Sequence, residues 1–313
     1  MTTTAAPATP AAVGDTASAG SIPPRRRRRD HLAGWAFLAP FAVVFLAFIV
    51  WPIVFGIYLS FTDRSLTGAG GDLIGFTNYA EAIADGDMWR SMGNTLWFTI
   101  LSTVPLVLVA LVMALLVNEG LPAQWLWRLS YFMPYLLAST VVSLFWIWLY
   151  NPQLGLINDA LSTLGLQEVA WLQDPQVAMP AIVIATLWWT VGFNFLLYLA
   201  ALQNIPEQQF EAAQIDGAGK WRQLFSITLP QLNQTTILIL ILQVLASLKV
   251  FDQIYQMTAG GPGGATRSAV QYIFEVGFTG YRFGYSAAIT YVFFAIIIIV
   301  SLIQFRVTAR RSA

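Results

Sequence analysis

Six long apolar stretches limit what this chain can fold into. They cover roughly residues 33–60, 93–118, 129–150, 178–202, 233–257 and 284–306. A helix that crosses the hydrocarbon core of a bilayer needs about 20 mostly apolar residues, and each stretch is long enough. Backbone groups find no water inside a bilayer, so continuous runs of this kind predict helices. The sequence therefore predicts an all-α, polytopic membrane protein with six transmembrane helices, the first of which Pro52 kinks or ends.

Composition agrees with a membrane location and excludes several classes of chemistry. Only 10% of the residues are charged, whereas roughly a quarter are charged in soluble domains. The 16 basic and 16 acidic residues cancel, so net charge says nothing about partners. The chain has no Cys and a single His, His31, which excludes disulfides and a metal site built from several histidines. We therefore expect this chain to bind no cofactor.

Basic residues are distributed unevenly between the segments that join the six stretches. One side would hold arginines 25–29, Arg128, Lys220, Arg222, Arg306, Arg310 and Arg311, and the other Arg64, Arg90, Arg267 and Arg282. Cytosolic segments carry the excess of Lys and Arg, so both termini are predicted to be cytosolic. The predicted organisation is a disordered basic tail at 1–30, a membrane domain at 31–306 and a short basic tail at 307–313.

The arginine run at 25–29 allows two interpretations. A basic run can mark nucleic-acid binding or nuclear targeting. Immediately before a membrane span, it is better interpreted as a topological anchor that also attracts anionic lipid. We therefore predict contact with membrane lipid and no nucleic-acid partner.

A polar segment at 204–230 separates the fourth and fifth apolar stretches. Pro206 suits the first turn of a helix, and Glu211 lies near the positive end of that helix. Gly217 tolerates the left-handed geometry that ends a helix, and a second helix would carry Lys220 before Pro230 opens the next span. The segment thus predicts a helix, a bend and a helix on the cytosolic side. The alternative is an amphipathic loop that lies on the lipid surface.

The spacing in this segment resembles the EAA loop of permease subunits of binding-protein-dependent ABC importers. The matching positions are Glu211, Ala212, Ala213, Gly217, Ile227, Leu229 and Pro230. Two further segments resemble carbohydrate permeases, one over 132–135 with Asn151, Pro152 and Gly155, and one over 251–263 that reads FDQIYQMTAGGPG. Residues of roughly 30–306 therefore resemble the permeases that include maltose and glycerol-phosphate importers.

This resemblance implies a type I ABC importer-like core and a set of partners. They are a second permease subunit, a sister chain rather than a second copy, two ATPase subunits that bind ATP and Mg, and an extracytoplasmic solute-binding protein. The solute would be a sugar or sugar-like compound, including a glycerol-phosphate compound. The residues that the resemblance assigns to ATPase coupling are Glu211, Ala212, Ala213, Asp216, Gly217, Lys220 and Pro230.

Polar and aromatic residues within the fourth and fifth stretches are candidates for the solute pathway. They are Trp189, Thr190, Phe193, Asn194, Gln243, Ser247 and Val250. Polar groups are costly in lipid and usually face protein or a cavity. A sugar stacks its apolar face on aromatic rings, while its hydroxyl groups need hydrogen-bond partners. The alternative is that these groups form hydrogen bonds between helices and touch no solute.

No catalytic motif stands out in the sequence. Gly217 to Lys220 reads GAGK, but Trp221 stands where a phosphate-binding loop needs Ser or Thr. The protein is thus predicted to be a transporter subunit and not an enzyme. One rival hypothesis is an ion-coupled secondary transporter, which would show internal repeats and broken helices, neither of which the sequence indicates. Another is a membrane assembly or signalling protein without a transport role.

Overall fold

The computed structural model describes residues 37–120 and 122–309, so the predicted tail at 1–30 lies outside the described residues. The chain divides into two units at Phe55 and Gly56. The first unit is helical from residue 37, with a π-helical turn at Leu46–Val50 that ends two residues before Pro52. A π turn changes the local hydrogen-bond register, which helps a helix to accommodate a residue without an N–H. Pro52 therefore does not end the helix.

We number the helices in chain order. They are α1 (Phe37–Ser60), α2 (Thr77–Ala84), α3 (Gly86–Asn118), α4 (Gln124–Leu136, ending in a 3-10 turn), α5 (Ser139–Leu149), α6 (Leu156–Thr163), α7 (Ala178–Gln203), α8 (Glu207–Ile215), α9 (Lys220–Gln231), α10 (Asn233–Leu248), α11 (Asp252–Thr258), α12 (Ala269–Phe274, followed by a π turn) and α13 (Phe283–Ala309).

Four of these helices, α1, α3, α7 and α13, are long and apolar enough to cross a membrane. Two bent pairs pass the same test together: α4 with α5, and α9 with α10. Counting each pair as one span gives up to six spans among the described residues, in agreement with the six apolar stretches. The all-α, polytopic fold is therefore confirmed. Helix α13 extends to Ala309, into residues that the sequence assigned to the C-terminal tail.

The third span is not the continuous helix that the sequence predicts. Helix α4 ends in a 3-10 turn at Met133–Leu136, the chain is extended at Leu137 and Ala138, and α5 leaves at an angle of 98°. Pro134 lies in the 3-10 turn. Proline removes a backbone donor and clashes with the preceding turn of an α-helix, which accounts for the loss of helix at this point.

The fifth span also differs from the prediction, because its helix is shorter than expected and is broken. The predicted stretch at 233–257 is helical only to Leu248, and a separate helix begins at Asp252. Lys249 caps the C-terminal end of α10, and Asp252 lies in the first turn of α11. Each charge is at the end of a helix dipole that favours its sign, which stabilises the break. The expectation that the chain lacks broken helices is therefore wrong for both spans.

Three clusters of buried apolar side chains hold the second unit together. The first joins α3, α7 and α10 around Leu106, Phe195 and Ile239. A second joins α3, α5, α7 and α11, and a third joins α2, α3, α12 and α13. Helix α3 contributes to all three clusters and α7 to two of them, so these two helices form the frame on which the broken spans pack.

Candidate functional site

The segment between α7 and α10 folds as a helix, a bend and a second helix, as the sequence predicts. Pro206 directly precedes α8, and Gly217 ends that helix with a φ of +73°. This left-handed conformation is unfavourable for a residue with a side chain, so glycine is strongly favoured here. Pro230 does not open the next span as predicted. It lies in the last turn of α9, which bends by 57° into α10.

Most of this segment is exposed. Glu211, Ala212 and Asp216 are exposed, while Ala213 is half-buried. Large apolar side chains accompany them: Ile215 is 86% exposed, and Trp221 is 75% exposed. An exposed apolar surface surrounded by polar residues marks a protein–protein or membrane contact.

Lys220 has a partner that the sequence did not indicate. Its Nζ lies 3.0 Å from Oε2 of Glu119, which directly follows the end of α3. Both side chains are largely exposed, so this ion pair contributes little to stability, on the order of 0–1 kcal/mol. It does show that α9 and the C-terminal end of α3 lie on the same side of the molecule.

The candidate pathway residues Asn194, Gln243 and Ser247 form one row of hydrogen bonds. Asn194 Nδ2 donates to Gln243 Oε1 at 3.1 Å, and Gln243 Nε2 lies 3.5 Å from Ser247 Oγ. Ser247 Oγ also lies 3.1 Å from Ser102 Oγ on α3. Asn194 and Ser247 are buried, while Gln243 is half-buried. The row thus links α3, α7 and α10, and Gln243 is its one partly accessible member.

Two of the remaining pathway candidates, Trp189 and Phe193, contact the break in the third span. Trp189 donates its ring N–H to the Leu137 carbonyl oxygen at 3.2 Å, and Phe193 stacks on Tyr135 with ring centroids 5.2 Å apart. Thr190 donates to the carbonyl oxygen four residues earlier, and Val250 packs against the cluster of α3, α5, α7 and α11. All four are half-buried, so part of each side chain remains accessible.

Gly192 allows α4 to cross α7 at close range. A Cβ atom at this position would lie 2.0 Å from the Tyr131 carbonyl oxygen and 2.8 Å from the Phe132 Cα atom. Sequence analysis missed this residue, although a lone glycine inside an apolar helix can signal close packing between helices. It also missed Ser102, whose role depends on a contact 145 residues away in the chain.

A second group of polar residues lies at the N-terminal end of α3. Asp85 caps α3 by accepting from the backbone N–H groups of Asp87 and Met88, and its Oδ2 accepts from the hydroxyls of Tyr272 at 2.5 Å and Tyr285 at 2.6 Å. Burial alone would raise the pKa of the Asp85 carboxyl, but the hydrogen bonds from Tyr272 and Tyr285 and from two backbone N–H groups hold it below its ordinary value. This carboxylate therefore ties α12 and α13 to the start of α3.

A cavity of about 570 Å³ lies beside this carboxylate. Its polar lining comes from Glu81, Asp85, Tyr272, Glu275, Arg282 and Tyr285. Arg282 and Glu81 form a bidentate ion pair, with distances of 2.7 and 2.6 Å. Within residues 37–120 and 122–309, no three His, Cys, Asp or Glu side chains are grouped so that they could hold a metal ion.

Comparison with known proteins gives concordant results. Residues 89–313 match the family described as binding-protein-dependent transport system inner membrane component. The chain is 36% identical to the sulfoquinovosyl glycerol transport system permease protein of Agrobacterium fabrum, over 89% of this chain and 91% of that protein. It is 34% identical to the trehalose/maltose transport system permease protein of Thermococcus litoralis, over 89% of this chain and 94% of that protein.

A third relative is the sn-glycerol-3-phosphate transport system permease protein of Yersinia pestis, 32% identical over 88% of this chain and 94% of that protein. Among solved structures, the chain resembles a bacterial ABC transporter involved in the import of the acidic polysaccharide alginate. The TM-score is 0.80 with 25% identity, over 91% of this chain and 98% of that chain. The exposed helix–bend–helix segment, the helical membrane fold and these relatives show that the chain belongs to the family of inner membrane components of binding-protein-dependent transport systems, the permease subunits of ABC importers.

Proposed function

We propose that this permease subunit forms half of a pore that imports a sugar or sugar-like solute. The observation that carries the proposal is the exposed segment of α8 and α9, with its left-handed bend at Gly217. A rigid helix followed by a sharp bend can transmit a partner's movement to α10, which follows α9 directly. The broken spans also suit an ion-coupled transporter, but membership of the family favours ATP-driven import.

The proposed driving force is ATP hydrolysis on two separate ATPase subunits that dock on this segment. Glu211 is exposed, so its carboxylate is available to a basic residue of the ATPase. A solute-binding protein would deliver the solute from the outside. In support, one solved relative with a TM-score of 0.79 and 25% identity is a bacterial alginate ABC transporter in complex with an alginate pentasaccharide-bound periplasmic protein.

The proposed solute class rests on the relatives and on the residues near the breaks. Trp189 and Phe193 offer partly accessible aromatic surface, and Gln243 offers a partly accessible amide. Such a combination suits a polyhydroxylated solute. The permease, a second permease, the ATPase and candidate binding proteins would be reconstituted in vesicles, and uptake of sulfoquinovosyl glycerol, maltose, trehalose and sn-glycerol-3-phosphate measured. Failure to take up any sugar-like compound with any binding protein would reject the proposed solute class.

The coupling role is tested with Glu211→Ala and Gly217→Asp. We expect both proteins to insert and to assemble with the second permease, but to lose stable ATPase docking or to hydrolyse ATP without uptake. Truncating one partner of a desolvated interfacial ion pair costs roughly 2–5 kcal/mol, and a left-handed bend penalises a side chain by about 1–2 kcal/mol. Gln214→Ala, in the same exposed helix, is the control. Wild-type uptake and ATP hydrolysis in both variants would exclude this segment as the coupling element.

The orientation is part of the same proposal. With both termini cytosolic, α8 faces the cytosol and the start of α3 faces outward. The chain has no native cysteine, so single cysteines can be introduced and labelled without background. We expect a membrane-impermeant reagent to label Gln208→Cys from the cytosolic side only and Asp87→Cys from the outer side only. The reverse pattern would overturn both the orientation and the docking proposal.

A further inference from the structure

A narrow apolar groove of about 380 Å³ lies between α10 and α13. Helix α10 contributes Ile241 and Leu245 to one wall. On α13 the lining runs from Ile297 to Phe305, a length of ~12 Å at ~1.5 Å per residue. The middle residue of α13 is Ile296, so the groove occupies the C-terminal half of this helix. Half of the hydrocarbon core is about 15 Å thick, so the groove extends over one leaflet of a bilayer and not over both.

The width of this groove limits what can occupy it. A volume of about 380 Å³ over ~12 Å leaves a mean cross-section of roughly 30 Å², which corresponds to a width of roughly 6 Å. An α-helix with its side chains is about 10–12 Å across, so a helix of another subunit does not enter the groove. A single hydrocarbon chain fits, because carbon atoms in contact are about 3.5–4.0 Å apart. The groove therefore suits one acyl chain of a lipid.

Two polar side chains interrupt the apolar lining toward the end of α13. Ser301 and Gln304 line the groove and are half-buried. Among residues 37–120 and 122–309, neither side chain has a hydrogen-bond partner. Polar groups inside a bilayer are costly unless they bind a polar partner. Both side chains can donate to ester carbonyl oxygens, which lie between the acyl chains and the phosphate of a phospholipid.

A basic residue lies next to this polar end of the groove. Arg306 is one helical turn beyond Leu302, which lines the groove, so the two residues share a side of α13. Arg306 is also ten residues, or ~15 Å, from the middle of α13, where the hydrocarbon core of a bilayer ends. It is exposed, and in the part of the chain that the structure describes it forms no ion pair. A guanidinium group at this depth suits the phosphate of a lipid.

We infer that the groove between α10 and α13 binds an anionic phospholipid. One acyl chain lies in the groove, Ser301 and Gln304 donate to the ester carbonyl oxygens, and Arg306 binds the phosphate. These residues follow one another along α13 in the same order as the chain, ester and phosphate groups of the lipid. No carboxylate of the described residues offsets Arg306, so a headgroup with a net negative charge is favoured over a zwitterionic one.

Photocrosslinking tests this site in the permease assembled with its partner subunits. The probe is phosphatidylglycerol with a photoreactive group in one acyl chain, as a minor component of phosphatidylcholine vesicles. We expect crosslinks to the groove residues of α10 and α13, among them Leu245 and Ile298. Unlabelled phosphatidylglycerol should compete for these crosslinks, and additional phosphatidylcholine should not.

The charge of Arg306 is tested with the same probe. Arg306→Gln should weaken phosphatidylglycerol crosslinking about five-fold, because one basic residue near an anionic lipid contributes about 1 kcal/mol. Arg306→Lys keeps the charge and should retain most of the crosslinking. Phosphatidylglycerol should also raise the melting temperature of the wild type more than that of Arg306→Gln, because it binds the folded protein.

Filling the groove provides a second, independent variant. Leu302→Trp places a larger side chain in the groove and should lower crosslinking at least about five-fold, since overpacking costs about 1–3 kcal/mol. Ile303→Trp is the matched control, because Ile303 is similarly exposed, at 56% against 50% for Leu302, but does not line the groove. Both variants should assemble with the partner subunits as the wild type does, as judged by size-exclusion chromatography.

Each of three results would overturn the inference. Equal competition by both lipids, together with wild-type crosslinking in Arg306→Gln, would mean that only ordinary bilayer lipid covers the groove. Crosslinks elsewhere on α13 but none in the groove would mean that another subunit covers it. An equal loss in Leu302→Trp and Ile303→Trp would mean that the substitutions disturb the outer surface of α13 and not a lipid in the groove. None of these results depends on which solute the importer carries.

Discussion

Replacing Gly192 with alanine tests whether the crossing of α4 over α7 shapes the pathway. A Cβ at this position would lie 2.0 Å from the Tyr131 carbonyl oxygen and 2.8 Å from the Phe132 Cα atom. Ordinary van der Waals contact begins at 3.4 Å, so the carbonyl must move by 3.4 minus 2.0, or 1.4 Å. Both neighbouring atoms belong to the main chain, and no side-chain rotation can relieve the overlap.

Overpacking in a well-packed interior typically costs about 1–3 kcal/mol, and a clash with main chain belongs at the upper end of that range. We therefore expect Gly192→Ala to lower stability by about 3 kcal/mol and to reduce uptake, because Trp189 and Phe193 contact the same break. Thermal unfolding of the purified protein in detergent, followed by the loss of the monodisperse chromatographic peak, measures the first effect. Initial uptake rates in vesicles measure the second.

Gly93→Ala is the matched control. Gly93 lies inside helix α3, and apart from its chain neighbours and the nearby backbone of that helix no atom lies within 4 Å of a Cβ at this position. Alanine is favoured over glycine in a helix by about 1 kcal/mol, so this variant should be as stable as the wild type or slightly more so. Unchanged melting of Gly192→Ala would show that α4 and α7 separate at little cost, and the reasoning would fail.

Two further predictions concern hydrogen bonds. Gln243→Ala leaves the buried Asn194 amide without its acceptor, so it should lower the free energy of unfolding by about 1–3 kcal/mol. A double-mutant cycle with Asn194→Ala measures the coupling between the two residues, and no coupling would contradict the observed pair. The depressed pKa of Asp85 stabilises the fold above the ordinary carboxyl value of about 4, and this contribution is lost as the pH falls through the folded pKa. Tyr285→Phe removes one of the bonds that depress it, so the loss of thermal stability on acidification should be smaller than in the wild type and should end at a higher pH, and identical pH profiles would refute this role.

The sequence predicted the class of fold and the helix–bend–helix form of the segment at 204–230 because both depend on local features. A span is recognised by its length and apolar composition alone, and the described residues hold up to six spans, most of them close to the predicted boundaries, while the fifth begins and ends earlier than predicted. The bend at Gly217 was likewise predictable, since a left-handed residue is most often glycine. The pairing of Lys220 with Glu119 was not, because the two residues are 101 positions apart in the chain.

The sequence by itself determined where the apolar helices lie, and the tertiary structure decided where they break and what the breaks bring together. The residues on both sides of each break are mostly apolar, so the stretches at 129–150 and 233–257 look like continuous helices in the sequence. Only packing shows that Gly192 admits the main chain of α4, and only the contact of Ser247 with Ser102 ties the end of α10 to the middle of α3. The crossing of two helices and their position along each other are properties of a pair of helices, so no single stretch of residues encodes them.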